Sequence, residues 1–196
     1  MKTRAFAFSC LAALFVGLDA GAATYYVAPT GNDNNPGTLA LPWGTPYKPR
    51  TVLVAGDTVY FRQGDYVITA YVSIGGNAGT ATAPITYASY PGERATIVWD
   101  RRTSLTDTST HQIFYVTQPY LVFERLAFYQ TPISRSVSLQ AAVTNQFQRI
   151  HGISIWGDNV TVRNCSVDNM SGVGVYVSKA RFLVEDAAEV DREERN

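Results

Sequence analysis

Residues 120–128 read YLVFERLAF, and the apolar residues Leu121, Phe123, Leu126 and Phe128 stand at relative positions 0, 2, 5 and 7. A step of two keeps side chains on one face of a strand. The extra residue between positions 2 and 5 turns the chain while the inward face is kept. The spacing recurs in VTVRNCSV (160–167), where Val160, Val162, Cys165 and Val167 repeat it. PITYASY (84–90) places Ile85, Tyr87 and Tyr90 at 0, 2 and 5, and GDTVYFRQGDY (56–66) offers Val59, Phe61, Gly64 and Tyr66. Two short strands joined by a corner, used repeatedly, describe the coils of a solenoid. GISI (152–155) and GVGV (172–175) lie twenty residues apart, the length of one coil. Steps of about 26, 36 and 39 residues elsewhere call for inserted loops or extra coils. An antiparallel sandwich also uses many short alternating strands. The corner and the twenty-residue repeat favour the solenoid.

Outside this pattern the chain has two distinct ends. Lys2 and Arg4 precede an apolar run of fourteen, AFAFSCLAALFVGL, and the small residues Gly21, Ala22 and Ala23 follow. That is the layout of a secretory signal, too short for a membrane span. Residues 1–23 are therefore expected to be removed near Ala22 or Ala23, and the protein to be secreted, extracellular or periplasmic. Residues 24–178 are rich in Val, Ile, Thr, Tyr, Phe, Gly and Asn between turn residues, and are expected to form one all-β domain. From Lys179 to Asn196 ten of eighteen residues are charged, against 22 in the preceding 178. This stretch reads as a separate tail, either a helix able to cover the open end of the solenoid or sequence foreign to the domain. With 16 basic and 16 acidic residues the charge is balanced, which argues against nucleic acid or an anionic membrane as partner. Cys165 is the one cysteine after the signal, so burial and backbone hydrogen bonds must hold the domain without an internal disulfide.

Three blocks in order, TYYVAPTGNDNNPGT (24–38), AGDTVYFRQGDY (55–66) and TATAPITYASYPGERATI (80–97), resemble the start of secreted right-handed parallel β-helix proteins of the pectate lyase type and their alginate and chondroitin lyase relatives. PYLVFERLAF (119–128) and NVTVRNCSVDNMSGVGVYV (159–177) resemble later coils of that family. The resemblance covers most of residues 24–178. It implies a uronate polymer as partner and cleavage by β-elimination. In that chemistry Ca²⁺ neutralises the substrate carboxylate, and a lysine or arginine removes the neighbouring proton. Such proteins usually carry a capping helix before the GDTV block. Here WGTPYKPRTVLVAGD (43–57) offers Thr45 as N-cap and Pro46 at the first helical position, so a short helix around Tyr47–Val54 is expected. The resemblance places the carboxylates and base in later coils. This chain is accordingly expected to hold five to seven N-terminal coils, to be truncated before its catalytic ones, and to show little lyase activity alone. The alternative is a non-catalytic extracellular β-helix that binds glycans or serves as a surface stalk.

The residues themselves offer few candidates for that chemistry. Calcium needs several oxygen ligands in one place, and a catalytic base needs a depressed pKa. After the signal the lysines are Lys48, in a proline-rich segment, and Lys179, which follows a strand and is the candidate base. Asp158 and Asp168, with Asn159, Asn164 and Asn169, form the one oxygen-rich group on a coil and are the candidate metal ligands. Asparagines also serve at corners by bonding backbone. GNDNNPG (31–37) reads first as a turn. Arg125, Arg149 and Arg163 occupy outward or corner positions where they could touch acidic sugars or simply solubilise the surface. Sequons at Asn159, Asn164 and Asn169 read as chance, because Asn and Ser or Thr are common in corners. His111 and His151 stand alone, and Cys165 takes an inward position. Tyr25, Tyr26, Trp43, Tyr47, Tyr71, Trp99, Tyr129 and Trp156 could include a sugar-stacking platform, with Trp156 expected outward. No separate cofactor site is evident, and no carboxylate pair suited to glycoside hydrolysis stands on one coil.

Overall fold

A computed structural model describes residues 21–100, 110–131, 149–178 and 182–183. Residues 121–130 form two strands meeting at one turning residue, Arg125, whose φ is 56°. Its counterpart Asn164 has φ 53°. Left-handed backbone costs an ordinary residue roughly 1–2 kcal/mol but suits Asn. That single turning residue keeps both strands inward: Leu121, Phe123, Leu126 and Phe128 are all buried.

Strand β1 (Thr24–Val27) leads into four coils of three strands each. The first is β2 (Thr58–Phe61), β3 (Gly64–Ile68) and β4 (Val72–Ile74). The second is β5 (Ile85–Ser89), β6 (Ala95–Trp99) and β7 (Thr110–Val116). The third is β8 (Leu121–Glu124), β9 (Leu126–Gln130) and β10 (Arg149–Ile155). The fourth is β11 (Val160–Arg163), β12 (Ser166–Asp168) and β13 (Val175–Val177), after which β14 (Phe182–Leu183) follows. Corresponding strands stack into three sheets, in the orders β1-β2-β5-β8-β11-β14, β3-β6-β9-β12 and β4-β7-β10-β13. Every pairing of these strands is parallel, as in β5 on β8, where Ile85 faces Leu121 and Tyr87 faces Phe123. The solenoid is thus the fold, and the antiparallel sandwich is excluded.

The core is a column down the axis. Phe114 from β7 meets Phe123 from β8 at 5.7 Å and Phe128 from β9 at 5.2 Å between ring centroids. One aromatic cluster therefore joins all three sheets, and each such buried side chain contributes about 1.5–3 kcal/mol. At the N-terminal end Trp43 and Leu53, from the segment between β1 and β2, are buried in the same cluster.

Several expectations need correction. Four complete coils are present among the described residues, where five to seven were expected, because loops take up more of the chain. Ile153 pairs with Val175, so this coil takes 22 residues; Gly172 belongs to the turn, its amide bonding the Ile150 carbonyl at 3.0 Å. In PITYASY the strand runs through buried Ser89, and Pro91–Arg94 turn before the next inward residue, Ala95. Tyr90 therefore lies outside the inward frame. The helix expected at Tyr47–Val54 is only a 3-10 turn over Pro49–Thr51. It goes no further because the amide of Val54 donates to the Asp57 carboxylate at 2.9 Å. Thr45 is not its N-cap; its hydroxyl donates to Asp33 at 2.6 Å. In the tail, Phe182–Leu183 is not helical: these residues pair in parallel with Val160 and Thr161. An open parallel edge offers them backbone partners that a charged helix does not. The rest of the tail, Lys179 included, lies outside the described residues, as does the signal up to residue 20.

Candidate functional site

The three asparagines of the oxygen-rich group sit at the three corners of the fourth coil. Asn159, Asn164 and Asn169 have φ of 54°, 53° and 58°. Asn is the residue that takes this conformation most cheaply after Gly, and Asn169 also donates to the Gln130 carbonyl at 2.7 Å. They act as corners, in line with their backbone-bonding role. Asp158 precedes β11 and Asp168 closes β12, on different sheets. Both are exposed, and Asp168 faces Arg94 at 3.9 Å. Among the described residues no three His, Cys, Asp or Glu side chains gather to hold a metal ion. The corners set the two aspartates apart, with no third such side chain beside either among the described residues. Asp33 of GNDNNPG is equally committed: Oδ1 accepts the amides of Gly44 and Thr45, both at 2.9 Å.

Charge is concentrated where the chain passes from the β1–β14 sheet to the β3–β12 sheet. Arg62 grips Glu93 through Nε and a terminal nitrogen at 2.8 and 2.6 Å, and its guanidinium lies 4.8 Å from the Tyr90 ring centroid. The Arg62 hydrogen bonds hold the Glu93 carboxyl below its usual range. One and two coils further on, Glu124 bonds its neighbour Arg125 and takes a 3.0 Å bond from Arg163. Two of the three candidate arginines are therefore anchored by one carboxylate. Arg149 begins β10 on another sheet and is exposed.

The candidate aromatics divide. Trp43 and Trp99 are buried, Tyr25 stacks on Trp43 at 4.8 Å, and the Tyr47 hydroxyl donates to the Ala70 carbonyl at 2.6 Å. Tyr71 and Trp156, in contrast, point outward, 45% and 44% exposed. They belong to a row on the β4-β7-β10-β13 sheet. Tyr71 meets Tyr115 at 6.1 Å, Tyr115 meets Trp156 at 6.2 Å, and Trp156 meets Tyr176 at 6.3 Å. His151 lies 5.5 Å from Tyr176, and its Nδ1 accepts the Val173 amide at 2.9 Å. Burial holds its pKa below the ordinary value. Tyr115 and Tyr176 were not among the sequence candidates. Their signal was alternation: each sits between two inward-facing residues, Phe114 and Val116, and Val175 and Val177.

His111 stacks on Trp99 at 5.5 Å. Cys165 packs against the core as its template position required, and burial pushes its thiol up to about 11. A thiol so raised is a poor nucleophile. Among the described residues, then, the chain presents an anchored charged corner and an outward aromatic row, and no assembled acid, base and metal constellation.

Over residues 25–191 the chain matches the family described as Pel9A-like, right handed beta helix region. Pectate lyase PEL9 of Emericella nidulans (strain FGSC A4) is 37% identical over 76 residues, 39% of this chain and 18% of that protein. The structure of a rhamnogalacturonan lyase superposes with a TM-score of 0.58 at 25% identity, covering 79% of this chain and 38% of the other. Pectate lyase Pel9A superposes with a TM-score of 0.56 at 22% identity, covering 83% and 38%, a likeness of fold. The chain thus spans well under half the length of each of these relatives.

Proposed function

We propose that this chain, which belongs to the Pel9A-like right-handed β-helix family, supplies the N-terminal coils of a secreted protein acting on an acidic, uronate-containing polysaccharide. The reaction class is β-elimination, as the names of its lyase relatives imply. The family match, running through all four coils, carries this reading. The proton-abstracting base and any calcium ligands belong, in this reading, to residues outside the described coils. Asp158 and Asp168 stand apart, so no step is assigned to them. Within the described coils the residues do structural work and present surface to substrate.

A second reading, a glycan-binding β-helix without chemistry of its own, is supported by the outward aromatic row. Incubation with polygalacturonate or rhamnogalacturonan plus calcium tests both. Ultraviolet absorbance of an unsaturated product, abolished by a chelator, would show that this chain carries lyase activity itself. Binding without product, indifferent to chelator, is the outcome expected for this chain alone. Failure to bind any acidic polysaccharide would sink both readings.

A further inference from the structure

We propose that the outer edge of β3 is a docking site for an extended, basic segment of another protein, which adds a strand to the β3-β6-β9-β12 sheet. The proposal stands apart from the polysaccharide reading and does not depend on it.

The first argument is the backbone. The Gly64 amide bonds the Arg94 carbonyl at 3.1 Å, and the Ile68 carbonyl accepts the Asp100 amide at 2.9 Å. Alternation along the strand then turns the backbone groups of Gly64, Tyr66 and Ile68 toward β6, and those of Asp65 and Val67 the other way. Strand β3 pairs with β6 alone, and among the described residues no backbone bond reaches its outer edge. The corresponding edge of the β1–β14 sheet is closed. There the Tyr26 amide bonds the Gly37 carbonyl at 2.8 Å, the Ala28 amide bonds the Trp43 carbonyl at 2.9 Å, and the Trp43 amide bonds the Tyr26 carbonyl at 2.9 Å. An open row of N–H and C=O groups is chemistry that an added polypeptide strand matches.

The second argument is the cleft beside that edge. It has a volume of about 190 Å³ and is lined by Pro29, Pro46 and Tyr47 together with Asp65 and Val67. The proline and tyrosine wall is held in place: the Thr45 hydroxyl bonds Asp33 at 2.6 Å and the Tyr47 hydroxyl bonds the Ala70 carbonyl at 2.6 Å. Little freedom therefore remains to be lost on binding. Val67 is 59% exposed, an apolar side chain for an incoming strand to cover. Among the described residues Asp65 is the one charged side chain lining the cleft, and no cation pairs with it. A lysine or arginine on the incoming strand pairs with that carboxylate, whereas an acidic strand is repelled. The occupant is therefore a basic polypeptide.

The test is fluorescence anisotropy of the whole chain with a fluorescein-labelled hexapeptide of alternating threonine and lysine. Saturable binding is expected, with amide exchange at Asp65 and Val67 slowed when the peptide is present. Asp65→Asn should bind about fivefold more weakly, the upper end for one exposed ion pair, at an unchanged thermal midpoint. The same peptide with every backbone amide methylated keeps its charge but cannot donate, and should bind about tenfold more weakly. A counterpart with glutamate in place of lysine should not bind. Parent-like binding by Asp65→Asn, or equal binding of the methylated or the glutamate peptide, would overturn the proposal. Self-association that protects the Asp65 and Val67 amides without peptide would give the edge to a second copy and overturn it too. No binding of the lysine peptide would overturn it and leave the polysaccharide reading intact.

Discussion

Asp57 accepts the amide of Ala23 at 2.8 Å through Oδ1, across 34 positions of sequence. Its Oδ2 takes the Val54 amide at 2.9 Å, and the side chain is buried. One carboxylate thus ties the start of β1 to the turn that enters β2, and the Thr58 amide bonds back to the Ala23 carbonyl at 2.9 Å. Asp57→Ala strands two amides and is expected to cost about 2–4 kcal/mol. Asp57→Asn, which keeps one acceptor, should cost less. Chemical denaturation reads both as shifted midpoints at unchanged slope.

The same contact predicts where an exported chain begins. Ala20, Gly21 and Ala22 are small residues of the kind signal cleavage requires. Cleavage after Ala22 turns the Ala23 amide into an ammonium facing the Asp57 carboxylate, a stronger partner than a neutral N–H. N-terminal sequencing of the secreted protein should therefore read Ala-Thr-Tyr-Tyr. A chain starting at Thr24 would lack this tie and contradict the prediction.

How much of this was legible beforehand depended on the residue. Leu121, Phe123, Leu126 and Phe128 disclosed the coil because their burial is a local, periodic property. The two acids of GDTVYFRQGDY look alike in sequence, yet Asp57 is a buried staple while Asp65 is an exposed residue within β3. Two things were hidden. Tyr90 read as the next inward residue of the template, because spacing alone does not show that the chain turns through Pro91–Arg94 before Ala95. Tyr115 and Tyr176 looked like ordinary strand residues; both stand in register with Ser154, and their contacts with the Trp156 ring arise only once the coils stack. Asp158 and Asp168 were singled out as part of an oxygen-rich stretch, and the sequence did not show that Asp158 precedes β11 while Asp168 closes β12 on another sheet.

Arg62 and Glu93 make a bidentate pair that also accepts the Gln63 amide at 2.7 Å. The folded-state pKa of Glu93 is lowered from 4.5, first by the Arg62 hydrogen bonds. The pair's contribution is therefore present above pH 4.5 and is lost as pH falls through the lowered value. Both groups are partly exposed, so about 0.5–1 kcal/mol is expected. Glu93→Gln should destabilise by that amount at neutral pH, and the gap to the parent should close on acidification. A gap that persists in acid would mean the pair acts through packing.

Cys165 packs against the core with its thiol pushed up to about 11. At neutral pH almost no thiolate is present, so an aromatic disulfide reagent should label the folded protein slowly and the denatured protein promptly. Burst labelling of the native state would show the fourth coil to be open. Cys165→Val, which keeps a small apolar group in place, should leave stability within about 1.5 kcal/mol of the parent.

His151 couples the aromatic face to pH. Its Nδ1 must be unprotonated to accept the Val173 amide, and burial first, then Arg149, keeps its folded pKa below 6.5. A group with a depressed pKa binds more protons when the chain is unfolded, so stability rises with pH across the interval between the two values. The contribution is complete above pH 6.5 and is lost as pH falls through the folded value. Protonation removes the acceptor that holds Val173, two residues before β13 and three before Tyr176. The thermal midpoint of the parent should therefore decline on acidification from pH 6.5, ahead of the Glu93 transition below pH 4.5. Exchange of the Val173 amide, corrected for its intrinsic pH dependence, should lose protection in the same interval. His151→Gln offers an acceptor that does not titrate and should flatten the curve there. A decline of equal size in His151→Gln would assign the pH sensitivity to another group.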